Sequence, residues 1–212
     1  MSIAGDAHFW DRISRKYAMS AIADQAGYER TLDRTRALLG PSDRVLELGC
    51  GTGTTALRLA GDVQDYLATD LSAGMIAIAD EKHAAGLVPT LAFRIATAEA
   101  LAPDAVRFSV VLGFNYLHLV RDLPGTLRHI HALLEPRGLF ISKTPCLGHV
   151  NPLIRSALLP AMRAIGKAPY AGVFRAADLS QRIRAAGFDI LAAESHATKG
   201  NDSRPYIVAR KR

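Results

Sequence analysis

The sequence predicts an α/β fold, a doubly wound and mostly parallel sheet with an antiparallel last strand. Three observations carry this. Short, mostly apolar runs alternate with stretches of helical periodicity from Arg44 to Lys143, the order in which parallel strands are joined by helical crossovers. The first of these runs ends in a cluster of glycines and passes straight into a helix, as strand–turn–helix units do. Close to the end, Lys199-Gly200-Asn201-Asp202-Ser203 separates two apolar runs and suits the polar tip of an antiparallel hairpin.

Each element follows from its own residues. From Ala7 to Leu39 the apolar positions recur at helical intervals, with Phe9, Ile13 and Tyr17 on one stripe and Ile22, Tyr28, Leu32 and Leu39 beyond it, so two or three helices are expected. Gly40-Pro41-Ser42-Asp43 is turn chemistry, and Arg44 to Leu48 reads as a buried strand. Helix is expected from Thr54 to Ala60, strand from Asp65 to Thr69, and helix from Ala73 to Ala85, stopped by Gly86. Strands are read at Thr90 to Ile95 and Phe108 to Gly113, then a helix from Leu123 to Leu134. A turn at Pro136-Arg137-Gly138 leads into a strand from Gly138 to Lys143. Pro145 to Gly172 departs from this rhythm. Its apolar series (Leu153, Ile154, Ala157, Leu158, Ala161, Met162, Ile165) is broken by Pro160 and edged by Arg155, Arg163 and Lys167, and reads as an inserted helical layer. A helix from Ala177 to Ala186, ended by Gly187, precedes strands at Phe188 to Ala193 and Pro205 to Ala209.

Length and composition bound the function. A chain of 212 residues suits one domain, and 49% apolar with 22% charged residues is a globular composition that excludes bulk disorder. No apolar run approaches the ~18 residues of a membrane span, and the start MSIAGDAHFWDRISRKY lacks the apolar stretch of a signal peptide, so a cytoplasmic protein is expected. Cys50 and Cys146 cannot build a disulfide framework, and no Cys or His pair has metal-ligand spacing, so no metal is expected. The net charge of +6, from 26 basic and 20 acidic residues, is scattered along the chain. Groups such as Arg12/Arg15/Lys16 read as solvated helix faces; nucleic acid is not expected, and acidic substrates or anionic membrane surfaces remain minor options.

The chemistry concentrates at Glu47-Leu48-Gly49-Cys50-Gly51-Thr52-Gly53-Thr54. Glycines let the backbone approach a ligand closely, and the amides at the following helix start favour negative charge. The spacing is G-x-G-x-G, with Thr54 where a dinucleotide fingerprint needs a small residue, and no Gly-Lys-Ser/Thr follows for a triphosphate. Glu47 is a carboxylate inside an apolar strand and needs a cationic or hydrogen-bonding partner. Asp70, 21 positions after Gly49, closes the next strand, where a carboxylate can accept both hydroxyls of a ribose; the other reading of Asp70 is a helix cap or surface turn.

This motif, with Asp70 and the later Thr97-Ala98-Glu99, resembles the class I S-adenosylmethionine-dependent methyltransferases, most closely the small-molecule branch of ubiquinone and menaquinone biosynthesis. The likeness runs over residues 8 to 143 and more loosely to the end. It implies a Rossmann-like sheet and S-adenosylmethionine as cofactor, with S-adenosylhomocysteine as product. It also implies that Gly49, Cys50, Gly51, Thr52 and Gly53 hold the methionine end, with Glu47 meeting its ammonium. Asp70 would take the ribose, Leu71 and Met75 would flank the adenine, and the adenine edge would fall to Thr97, Ala98 and Glu99. Relatives often carry Asp at the position of Thr97, and an acidic residue at that of Ser109. Tyr17, and less so Trp10, would lie on a first helix that folds over the site.

Gly113-Phe114-Asn115-Tyr116-Leu117-His118 ends the fourth strand, where open parallel sheets place their ligands. Gly113 and Phe114 are assigned to the cofactor, and Asn115 and His118 to the acceptor. The stretch lacks the prolines of the motif used on nucleobase amines. His118 is either a general base or a packing histidine. Lys143 and Thr144 end the fifth strand near the same mouth, with Lys143 read as solvated; Cys146, His149 and His196 receive no role. The expected arrangement is one domain over 1–212, with an N-terminal helical cap (1–40), a cofactor-binding core (41–143), a helical lid insertion (144–176), and a C-terminal helix with closing hairpin (177–212). The expected activity is methyl transfer to a small, apolar or aromatic acceptor whose reacting atom is open. A non-catalytic nucleoside-binding module and a nicotinamide-dependent oxidoreductase are the alternatives, the latter opposed by Thr54 and Glu47.

Overall fold

The computed structural model describes residues 3–149, 159–164, 168–198 and 203–212. Two N-terminal helices, α1 (Ile3–Ala18) and α2 (Gln25–Arg36), precede β1 (Arg44–Leu48). Then come α3 (Ala56–Leu59), a 3₁₀ turn at Ala60–Asp62, β2 (Asp65–Asp70), α4 (Ala73–Ala84) and β3 (Leu91–Ile95). After these follow α5 (Ala98–Leu101), β4 (Phe108–Phe114), α6 (Leu123–Leu133) and β5 (Leu134–Lys143). The chain closes with α7 (Leu159–Ala164), α8 (Ala176–Ala185), β6 (Phe188–Glu194) and β7 (Tyr206–Lys211).

The seven strands form one sheet in the order β3-β2-β1-β4-β5-β7-β6. β7 is antiparallel to both its neighbours, and the other pairings are parallel. The expected doubly wound, Rossmann-like sheet with an antiparallel last strand is therefore what forms. Along β1 the side chains alternate between two buried faces. Leu46 and Leu48 pack with Leu127, Ile130 and Phe140 under α6 and α8, while Val45 joins Leu32, Leu59, Tyr66 and Ile76 under α2 to α4. The strand order reverses between β1 and β4, which opens a crevice at their carboxyl ends.

Side-chain caps set several helix starts. Asp24, Ser72 and Asp122 accept backbone N–H bonds from Gly27 (3.0 Å), Met75 (3.1 Å) and Gly125 (2.9 Å) at the first turns of α2, α4 and α6. The helix expected from Thr54 begins only at Ala56, because the glycine loop keeps a turn conformation up to Thr55. α5 was not anticipated; it is a single turn capped by Thr97, whose hydroxyl accepts from Ala100 N–H.

The strand expected from Gly138 begins at Leu134, and the Pro136-Arg137-Gly138 turn lies inside it as a bulge. Pairing jumps from Phe108↔Leu134 to Val110↔Leu139, with Arg137 at φ 65°. Ser109, opposite the bulge, accepts from Arg44 N–H at 3.0 Å and so ties the strands together. Of the inserted layer, Leu153, Ile154, Arg155, Ala157, Leu158, Ile165 and Lys167 lie outside the described residues, as do Lys199 to Asp202 of the hairpin tip. Pro160 lies in α7, and the residues before Leu159 lie outside the described ones. Among the described residues no helix is long and apolar enough to cross a membrane.

Candidate active site

A cavity of about 980 Å³ opens at the crevice between β1 and β4. Its floor is the glycine loop after β1, and its walls come from the ends of β2, β4 and β5. Trp10 and Tyr17 of α1 stand over it, with the Tyr17 side of α1 facing Gly51. Tyr17 is 48% exposed, so it lies across the mouth rather than in the core.

The three loop glycines all have positive φ (69° at Gly49, 55° at Gly51 and 74° at Gly53), yet each is needed for a different reason. A Cβ on Gly49 would lie 2.7 Å from the Tyr116 ring, and one on Gly53 would meet Phe93 at 2.7 Å and Ala79 at 2.9 Å. Gly53 therefore serves packing of the loop onto β3 and α4 and does not line the cavity. A Cβ on Gly51 would meet nothing nearer than Tyr17, 3.8 Å away, so it would fill open cavity space. Such a cradle fits a ligand that reaches the backbone.

Glu47 points from β1 toward the α2–α4 side and is almost fully buried. Its partner within the chain is the Tyr66 hydroxyl, which donates to Oε2 at 2.7 Å. Burial pushes the Glu47 carboxyl up to about 7, opposed by the Tyr66 hydrogen bond and aided by the nearby Asp70 charge. A carboxylate in this state lining a cavity is matched to a cationic ligand group. Asp70 takes backbone N–H bonds on both oxygens, from Gly51 at 3.0 Å and Ser72 at 2.9 Å. It is not the α4 cap, which is Ser72. Each oxygen keeps a lone pair for a further donor, and burial raises its carboxyl above the ordinary value against those amides.

Two further groups brace this end. Lys82 of α4 donates to Thr52 O (3.0 Å), Thr52 Oγ1 (2.9 Å) and Thr54 Oγ1 (3.3 Å), clasping the far side of the loop. Asp11 of α1 accepts from Ser72 Oγ (2.6 Å) and Gly74 N–H (2.9 Å), which anchors α1 to the start of α4. We expect Lys82→Met to weaken S-adenosylhomocysteine binding by about 3- to 10-fold in calorimetry, the value of one or two ordinary hydrogen bonds, without loss of folded structure.

The lining also includes Asn115, Tyr116, His118, Lys143, Pro145, Tyr170 and Arg204. Asn115 adopts φ 51°, a left-handed conformation that asparagine tolerates, and its N–H bonds to Lys143 O at 2.7 Å. His118 Nδ1 is buried with no hydrogen-bond partner among the described residues. Burial, with the Arg204 charge second, lowers the imidazole to about 4, so it is neutral at neutral pH. The roof is tied down by Arg121, which donates to Asp6 of α1 at 2.7 and 2.9 Å and stacks over Tyr170, 4.9 Å from its centroid. Arg163 lies over the same ring and donates to Pro169 O.

The structure thus brings Tyr17, Glu47, Gly49, Cys50, Gly51, Thr52, Asp70, Leu71, Met75, Thr97, Glu99, Phe114, Asn115 and His118 to one cavity. Gly53, Ala98 and Gly113 are not in its lining; Ala98 is core, and Gly113 packs against Tyr116 and Phe140. Lys143, read as solvated, is half-buried and donates to Thr31 at 2.8 Å. Asp6, Asp11, Lys82, Arg121, Tyr170 and Arg204 were missed. Their contacts span long sequence separations, and no local pattern marks them. Among the described residues no cluster of His, Cys, Asp and Glu could hold a metal.

Comparison with known proteins agrees with this geometry. The methyltransferase domain family matches residues 18–193. A ubiquinone biosynthesis O-methyltransferase of Sinorhizobium fredii is 28% identical over 186 residues, covering 79% of this chain and 73% of that one. The enzyme of the same name from Methylocella silvestris is 33% identical over 166 residues, covering 77% and 59%. Among solved structures, the complex of DhpI with S-adenosylhomocysteine superposes with a TM-score of 0.75 at 21% identity, over 99% of this chain and 96% of that one. The glycine cradle, the half-buried Asp70 at the strand end and the family match over most of the chain lead to one assignment: this chain belongs to the class I S-adenosylmethionine-dependent methyltransferases.

Proposed function

We propose that the chain transfers the methyl group of S-adenosylmethionine to an oxygen of a small, apolar or aromatic acceptor. One observation carries the reading. A single cavity of about 980 Å³ joins the Glu47–Gly51–Asp70 end to the Asn115–His118 end, and this volume is at the top of the ~300–1,000 Å³ range of small-molecule sites. That is room for two ligands side by side. The names of the two curated relatives favour oxygen as the acceptor atom, and Trp10, Phe114 and Tyr170 favour an apolar or aromatic body.

S-adenosylmethionine supplies a methyl group already activated on a sulfonium. Glu47 and the Gly49–Thr52 backbone hold the methionine end, Asp70 the ribose, Leu71 and Met75 the adenine faces, and Thr97 to Glu99 its edge. α1 covers the site with Trp10 and Tyr17, residues 41–143 bind the cofactor, and Pro145 and Tyr170 roof the acceptor. Excluding water this way favours alignment.

His118 positions the acceptor rather than taking its proton, because an imidazole held near 4 retains a proton poorly at neutral pH; the acceptor enters with its oxygen already deprotonated by solvent, the new C–O bond forms as the C–S bond breaks, and the sulfur keeps the electron pair as neutral S-adenosylhomocysteine. Alignment alone can supply ~7–11 kcal/mol of the barrier. Incubation with labelled S-adenosylmethionine and a small-molecule fraction of cytosolic extract should yield a labelled methylated product. His118→Ala should lower turnover by less than ~100-fold, the lower end of general-base effects, with cofactor affinity unchanged. No transfer by the wild-type protein, despite cofactor binding, contradicts the proposal; total loss in His118→Ala establishes a required base instead.

A further inference from the structure

α1 is docked on the molecule without joining its core. Among the described residues, neither hydrophobic cluster contains an α1 side chain. The buried residues of this helix are the polar Asp6 and Ser14. Phe9, Trp10 and Ile13 are only half-buried, and Trp10 and Tyr17 line the cavity. Elements with few buried apolar contacts are the first to open locally. A ligand filling the cavity would give Trp10 and Tyr17 the apolar partner that the core does not supply.

Polar contacts hold α1 on two sides. Toward α4, Asp11 accepts from Ser72 and Gly74, and Arg15 pairs with Glu81 at 2.7 Å. The two helices approach so closely there that a Cβ on Gly74 would lie 3.0 Å from Ser14 Oγ. Toward the β4–α6 connection, α1 is held through Asp6, to which Arg121 donates from two nitrogens at 2.7 and 2.9 Å. The same guanidinium stacks over Tyr170, whose segment is bound to His118 O by Gly172 N–H at 2.6 Å. One side chain therefore joins the cover to the acceptor roof. Asp6, Arg121 and Tyr170 all line the cavity, and the Arg121 side chain is 33% exposed, so water can take up its donors when the pair opens.

We infer that Arg121 is a positioning residue that latches α1, and that cofactor and product exchange when the Asp6–Arg121 pair breaks and α1 swings on its α4 contacts. Because Tyr170 shares the latch, the cover and the acceptor roof loosen together. This rests on the methyl-transfer reading for the identity of the two ligands.

The chain's single tryptophan, Trp10, lies on α1, so its emission reports the cover. The full chain is mixed with S-adenosylhomocysteine in a stopped-flow fluorimeter. A ligand that enters and leaves only through an opened state has both rates scaled by the open fraction. Arg121→Met and Asp6→Asn should therefore each raise the association and dissociation rates together by roughly 10-fold, the lower value of a charge-assisted contact, with affinity kept within about 3-fold. Arg121→Lys keeps the charge and should fall between these and the wild type. Tyr170→Leu removes the stack, leaves the Asp6 pair, and should accelerate exchange several-fold. Asp6→Asn keeps the side-chain shape on a helix outside the core, so it serves as the test even if Arg121→Met folds poorly. A contact that only supports the fold would weaken affinity through dissociation alone. That result, or wild-type rates in both latch variants or in Tyr170→Leu, overturns the inference. Failure of the wild-type protein to bind S-adenosylhomocysteine at all would instead overturn the methyl-transfer reading.

Discussion

Glu47→Gln is expected to weaken S-adenosylmethionine binding by about 10- to 150-fold while making the ligand-free protein more stable at pH 8. The two effects have one origin. The carboxylate is buried in the apolar middle of the sheet, with the Tyr66 hydroxyl as its donor, and its value near 7 lies above the ordinary 4.5. The folded state therefore binds this proton more tightly than the unfolded state does. The stability so contributed is fully present below about 4.5 and is lost as the pH rises through about 7; the whole difference corresponds to roughly 3 kcal/mol. Glutamine removes that penalty and still accepts from Tyr66, so the melting temperature at pH 8 should rise by several degrees, at about 2–4 °C per kcal/mol. Binding goes the other way, because a charge-assisted contact to the cofactor ammonium contributes ~1.5–3 kcal/mol. Affinity in the wild-type protein should also fall as the pH drops from 8 to 6, where Glu47 gains a proton. Calorimetry and thermal melts at both pH values check all three outcomes, and unchanged affinity in Glu47→Gln would remove Glu47 from the cofactor site.

Asp70→Ala should cost both affinity and stability. Its carboxylate joins the glycine loop to the start of α4 through Gly51 N–H and Ser72 N–H, and each donor left unpaired costs about 1–3 kcal/mol. With the two ribose contacts also lost, S-adenosylmethionine affinity should fall by at least ~10-fold. Asp70→Asn keeps the shape and one acceptor oxygen, so it should lose less in both measurements. A nicotinamide dinucleotide titrated in parallel should bind more weakly than S-adenosylmethionine; the reverse order, or unaltered affinity in Asp70→Ala, contradicts the assignment of Asp70 to the ribose.

Much of the site was legible because it is built from neighbours in sequence. Gly49, Gly51 and Gly53 supply the positive φ that the loop's turns need, and a carboxylate in an apolar strand announces that it needs a partner. The identity of each partner was not legible. Tyr66 reaches Glu47 across 19 residues only because β2 lies beside β1 with both side chains on the same face. Arg121 meets Asp6 across 115 residues, and Thr31 meets His196 across 165.

The chain by itself determined the alternation of strand and helix, the G-x-G-x-G turn and the acidic residues that flank it. These follow from periodicity, backbone sterics and the cost of burying charge, which act within a few residues of each position. Tertiary structure decided that β7 enters between β5 and β6, and that Lys143 is braced against α2 instead of reaching into water. Strand order and helix docking depend on which apolar faces can be covered together, and that is a property of the whole core rather than of any one segment.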